Sequence, residues 1–177
     1  MEAVYWVVRS GQWHHAQFFK INMEYFFLKW IHIISSTILF GTGIGSAFFM
    51  FMANRKKDVR EIYFATRIVV IADWIFTTPA VIIQLVSGLL LVENQGFLFS
   101  ESWLWLAIAF YFFAVFCWIP VVWWQIKMRD MAKLSIKNKT ALPPLYWQIN
   151  RYWIILGSLA FPAIIAVFYL MVFKPDF

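Results

Sequence analysis

Residues 66–92, TRIVVIADWIFTTPAVIIQLVSGLLLV, hold two charges, Arg67 and Asp73, in an otherwise largely apolar run. A run of about 18 or more such residues is long enough for a membrane helix. At about 1.5 Å per residue, some 20 of them cross a hydrocarbon core of roughly 30 Å. Three further stretches have the same character, at about 25–53, 102–124 and 153–173. The expected fold is therefore all-α: an integral membrane four-helix bundle forming a single membrane domain over 1–177.

The composition agrees. Of 177 residues, 63% are apolar and 14% charged, against roughly half and a quarter in soluble domains. Aromatic residues reach 21%, with 11 Trp, and amphipathic rings suit the headgroup level of a bilayer. The lone cysteine, Cys117, allows neither an intrachain disulfide nor a cysteine metal cluster.

The net charge of +6 is distributed as topology. Residues 54–67 carry Arg55, Lys56, Lys57, Arg60 and Arg67, and residues 125–152 carry Lys127, Arg129, Lys133, Lys137, Lys139 and Arg151. Five and six make 11 of the 15 basic residues. The loop 93–101 has none. The positive-inside rule places the two basic connections in the cytoplasm, with loop 93–101 and both termini outside. The charge is thus no sign of a nucleic-acid partner; the expected partner is the lipid bilayer. Residues 1–24 lack the basic start, apolar stretch and small-residue cleavage site of a signal peptide. Trp6, Trp13, Phe18 and Phe19 suggest a short amphipathic helix in the outer interface. The stretch Leu142-Pro143-Pro144 is expected to end any helix in the long connection.

Polar side chains are costly inside a bilayer, so each asks for a reason. On an ideal helix Asp73, Thr77, Ala80, Gln84 and Ser87 share an arc of about 80°. Lys29, His32, Ser35, Ser36, Gly43 and Ser46 share one of about 120°. The two stripes are expected to face each other in the bundle interior, with His32 and Gln84 toward the outside and Asp73 toward the cytoplasm. Asp73 and Thr77 are candidates for a proton relay or polar interior. Gly41 and Gly45, on the opposite face, form a small-residue pattern that suits helix contact. Pro79, Pro120 and Pro162 imply kinks. His32 has three readings on these grounds: a hydrogen-bonding lock between helices, a metal or haem ligand, or a proton relay. Met171, near the outer end of the last span, is a soft candidate ligand, as are His14 and His15 on weaker grounds.

The stretch Leu28-Lys29-Trp30-Ile31-His32-Ile33-Ile34 resembles the opening of the HemJ-type protoporphyrinogen oxidases, small bacterial membrane proteins that hold a haem. Arg67, Thr78-Pro79-Ala80, Ser87-Gly88-Leu89 and the ending Tyr169-Leu170-Met171-Val172-Phe173-Lys174-Pro175 resemble later parts of that family. Phe40-Gly41-Thr42-Gly43-Ile44-Gly45, Ala72-Asp73-Trp74 and Trp118-Ile119-Pro120-Val121-Val122 are more similar to a bacterial family of predicted integral membrane proteins of unknown function, a distant relative of the HemJ and CopD-like proteins. One departure stands out: Trp103-Leu104-Trp105-Leu106 lacks the lysine that the HemJ proteins carry there. The resemblance thus implies a haem b at His32 more than porphyrinogen oxidation. Lys29 would meet a propionate, Ser36 and Gln84 would line the site, and the sixth ligand would be Met171, His14, His15, water or nothing. Electron transfer or a small membrane oxidoreductase activity would follow, with an electron-transfer partner or a homo-oligomer. The competing expectations are a non-enzymatic transport or proton-relay module and a structural membrane subunit. Whether the chain is an enzyme stays open at this level.

Overall fold

The computed structural model describes residues 23–98 and 100–177. The amphipathic segment with Trp6, Trp13, Phe18 and Phe19, and the ligand candidates His14 and His15, lie outside the described residues. Among the described residues there are four helical spans, each long and apolar enough to cross a membrane. The first is α1 (Glu2–Lys56, described from Met23). The second is built from α2 (Val59–Ala72), a π-helical turn (Asp73–Thr77) and α3 (Thr78–Gln95). The third and fourth are α4 (Ser102–Asn138) and α5 (Pro144–Phe173). Helices satisfy every backbone hydrogen bond within one segment, which hydrocarbon demands. Phe116, Val172, Phe64 and Trp74 point outward at 60–75% exposure. In water that surface would be a liability; facing lipid it is the expected exterior.

The junctions follow from local chemistry. Asp58 caps α2, its Oδ1 accepting the backbone N–H groups of Arg60 and Glu61 at 2.8 and 3.0 Å. Those two donors, Glu61 first, hold the exposed Asp58 carboxyl below its ordinary range. Gly96 closes α3 at φ 67°, with the Phe97 N–H returning to the Val92 carbonyl at 3.2 Å. This is the left-handed termination that glycine adopts without steric cost.

The long basic connection is mostly helix. α4 runs on past residue 124 to Asn138, and Pro143 and Pro144 begin α5 instead of only ending α4. Proline suits the first helical turn, where its missing N–H has no partner to lose. The extension persists because Gln125, Met128, Ala132 and Ser135 stay buried on one face at helical spacing.

Two buried clusters organise the bundle. At the basic end Met50, Ile62, Val69, Met128, Tyr146 and Ile149 pack together. At the far end Val92, Trp103, Leu104, Ala107 and Leu170 do so, with Met171 against them. By backbone packing, α1 lies on α3, α4 on α5, and α2 on α4. Gly41 and Gly45 depart from expectation: nothing described stands within 4 Å of a Cβ added at either, so no described helix packs closely on these two positions.

Candidate functional site

The first polar group is closed. His32 Nδ1 lies 2.9 Å from Ser87 Oγ, and His32 Nε2 lies 2.9 Å from Gln84 Nε2. An amide nitrogen only donates, so His32 Nε2 accepts and Nδ1 carries the proton toward Ser87. Ser87 Oγ in turn donates to the Ile83 carbonyl at 2.6 Å. Ser35 Oγ donates to Gln84 Oε1. Both ring nitrogens and both ends of the amide are thus occupied. The imidazole lies against α3, where a Cβ on Gly88 would sit 3.2 Å from His32 Cε1. A side chain at 88 would crowd the ring, which would have to give by a few tenths of an ångström.

The π-helical turn builds the second group. Pro79 has no N–H to donate, and its ring would crowd the carbonyl four residues back. The backbone widens there: the Thr78 N–H reaches the Asp73 carbonyl, five residues back, and Thr78 Oγ1 donates to the same carbonyl at 2.8 Å. The turn leaves Trp74, Ile75 and Phe76 exposed to lipid, while Asp73 and Thr77 are buried at 4% and 5% exposure. Thr77 Oγ1 donates to Asp73 Oδ1 at 2.8 Å. The Gln125 and Trp118 side chains lie around the carboxyl. Yet Asp73 Oδ2, Gln125 Oε1, Trp118 Nε1 and Trp153 Nε1, all buried, make no hydrogen bond. None of the described ion pairs, Lys56–Glu61 and Arg129–Asp130, involves Asp73.

These four atoms belong to residues that line one cavity of about 730 Å³ between the α1–α3 pair and the α4–α5 pair. Ser46, Asp73, Thr77 and Gln125 make its wall polar toward the basic end, and Val115, Phe161, Ile164 and Phe168 are among its apolar lining. α1 and α5 meet on either side of it. Asn54 Nδ2 donates to Asn150 Oδ1 at 2.9 Å at the basic end. Phe40 stacks on Phe161 at 4.9 Å toward the far end. Between these ties the lining residues Ile44, Phe51 and Ile154 are 43–51% exposed. The cavity therefore opens sideways, toward the hydrocarbon of the bilayer.

The sequence candidates divide between these places. Ser36, Gln84, Asp73 and Thr77 line the cavity. His32 does not; it is turned to α3. Lys29 is exposed, its ammonium 5.5 Å from the Tyr25 ring centre. Met171 packs at the far end. The residues as arranged do not fit a haem iron at His32, whose ring nitrogens are both engaged and whose edge touches Gly88. No described lining residue is a His or a Met, and no described group of three His, Cys, Asp or Glu is placed to hold a metal ion.

Trp118, Gln125 and Trp153 are site residues that the polar stripes did not reveal. Gln125 falls beyond the apolar run of the third span, and the two indoles belong to the third and fourth spans, outside both polar stripes. The signal was the helical spacing Trp118–Val121–Gln125–Met128, which continues one face of α4 past its hydrophobic stretch.

A family match covers nearly all of this architecture. The model of the family described as predicted integral membrane protein (DUF2269) matches residues 26–175. The chain belongs to that family. The match takes in all four spans and both polar groups, so the cavity is built wholly from family sequence. No curated protein and no solved structure matches.

Proposed function

We propose that this DUF2269 protein is a binding or carrier module for a small, largely apolar molecule that reaches its cavity laterally from the bilayer. The supporting observation is the cavity itself: about 730 Å³, open to the lipid side, apolar over most of its wall and ending in four buried polar atoms without partners. Ligand sites commonly combine a volume of ~300–1,000 Å³, an apolar lining and a few convergent polar groups. In hydrocarbon an unsatisfied polar atom costs several kcal/mol, so a molecule that satisfies these atoms gains what the empty site forgoes. The module sits in the inner (plasma) membrane of a bacterium with its basic end in the cytoplasm. This reading accords with both basic connections lying at one end of the bundle. Reporter fusions after Asn54 and Lys139 test the orientation, and both should read cytoplasmic.

The test of binding uses Gly157, which lines the cavity and has nothing within 4 Å of an added Cβ. Gly157→Leu should fold and fill the space. Lipid-extract mass spectrometry of purified wild type should find a bound small molecule that the variant lacks. Equal content in both would contradict the proposal.

The haem reading, with its oxidoreductase function and electron-transfer partner, rests on the resemblance at Lys29 and His32. It requires Gln84 to release His32 Nε2. The same preparation tests it: a Soret band lost in His32→Ala would replace the carrier reading with the haem one.

A further inference from the structure

The cavity reading leaves the ligand's polar group unspecified, and the surroundings of Asp73 narrow it. We propose that the site binds a lipophilic amine: an apolar chain or ring system carrying one protonated amino group, which docks between Asp73 and Gln125. This rests on the cavity being a ligand site.

The argument is one of complementarity. Asp73 Oδ2 and Gln125 Oε1, in residues 4% and 3% exposed, make no hydrogen bond, although the Gln125 amide and the Trp118 indole lie beside the carboxyl. An ammonium group carries three N–H donors and no acceptor, so it satisfies both oxygens at once. A hydroxyl has a single donor and satisfies one. Charge points the same way. Asp73 is a carboxyl at membrane depth with no cation among its described neighbours, and Arg67, six residues earlier, is exposed on another face. An intramembrane carboxylate is ordinarily paired or hydrated; here the bound cation is the pair. Trp118 lies beside the carboxyl and Trp153 lines the same cavity. The apolar remainder of the cavity, toward Phe161 and Phe168, takes the hydrocarbon part. The sideways opening between α1 and α5 admits a molecule already dissolved in lipid.

Purified protein in nanodiscs of zwitterionic lipid is heated with dodecylamine or with dodecanol, which differ in their polar group. Dodecylamine should raise the melting temperature of the wild type by several degrees and dodecanol much less. Asp73→Asn keeps the shape of the side chain and removes its charge. It should retain its own melting temperature and weaken dodecylamine binding at least ten-fold. Gln125→Leu should weaken it by a smaller factor, and this arm stands should Asp73→Asn fail to fold. Equal shifts for amine and alcohol would overturn the amine assignment, as would undiminished amine binding in both variants. If Gly157→Leu then removed both shifts, the cavity would remain a ligand site of other specificity. If Gly157→Leu removed neither, the carrier reading would fall with the amine. Extracted bound material shows whether the amine belongs to a membrane lipid or to a free lipophilic amine; either source fits the site.

Discussion

The polar group around His32 and the polar group around Asp73 lie in the same bundle, a few helical turns apart, and are built from similar residue types. They end in opposite states. Around His32 each of these side-chain nitrogens and oxygens has a partner: imidazole, amide and two hydroxyls close a network that ties α1 to α3. Around Asp73 only one carboxylate oxygen is matched, by Thr77, and four buried polar atoms remain open. In hydrocarbon both arrangements cost something to bury. A closed network recovers the cost within the chain and acts as a lock. An open one recovers it only from outside, which is why a binding site is proposed there. The presence of an ionisable residue in a span therefore says less than the state of its hydrogen bonds.

The comparison breaks most visibly at His32. His32→Ala should destabilise the protein by about 2 kcal/mol, because it leaves Gln84 Nε2 and Ser87 Oγ short of partners inside the bundle. Thermal unfolding in nanodiscs measures this, and a neutral result would remove the lock.

Gly88→Ala sharpens the same point. Its new Cβ would meet His32 Cε1 at 3.2 Å, and the ring, fixed at both nitrogens, has little room to retreat. A loss of about 1 kcal/mol is expected, of the order found for overpacking. The double variant His32→Ala/Gly88→Ala should lose less than the sum of the single losses, since removing the ring removes the clash.

A smaller effect belongs to Asp58, which lies in neither group. Asp58→Ala should lower the melting temperature slightly by uncapping α2. The folded state depresses this carboxyl's pKa, so the contribution is complete above the ordinary carboxylate range. It fades as pH falls through that range toward the depressed value. Melting curves of wild type and variant should therefore converge in acid.

Least disturbed should be Asp73→Asn. A carboxylate that lacks a cation partner contributes little to folding, and its amide replacement fits the same space. Its stability should match the wild type or exceed it slightly.

The fold was largely legible because bilayer physics writes itself plainly in sequence. Apolar runs marked the four spans, and the small-and-polar stripes marked the faces of α1 and α3 that meet. The end of the third span was not legible from hydropathy. Past residue 124 the outward positions turn polar while Gln125, Met128 and Ala132 still face protein, so the helix leaves the apolar run without ending. That blurred boundary concealed Gln125. The Pro143-Pro144 pair looked like a stop and also served as a start. His32 was legible as an interior residue opposite the stripe that holds Gln84 and Ser87, but the pairing of its two nitrogens with them was not. Which nitrogen faces what depends on the side chains that α3 presents across the gap, and a stripe on one helix does not contain them.

The most direct test sets the two groups against each other in one experiment. Melting temperature and bound dodecylamine, counted by native mass spectrometry, are measured on His32→Ala and Asp73→Asn in parallel. The account predicts a crossed result: His32→Ala melts earlier yet still carries the amine, and Asp73→Asn melts like the wild type yet carries none. Bound amine lost from His32→Ala and retained by Asp73→Asn would contradict it.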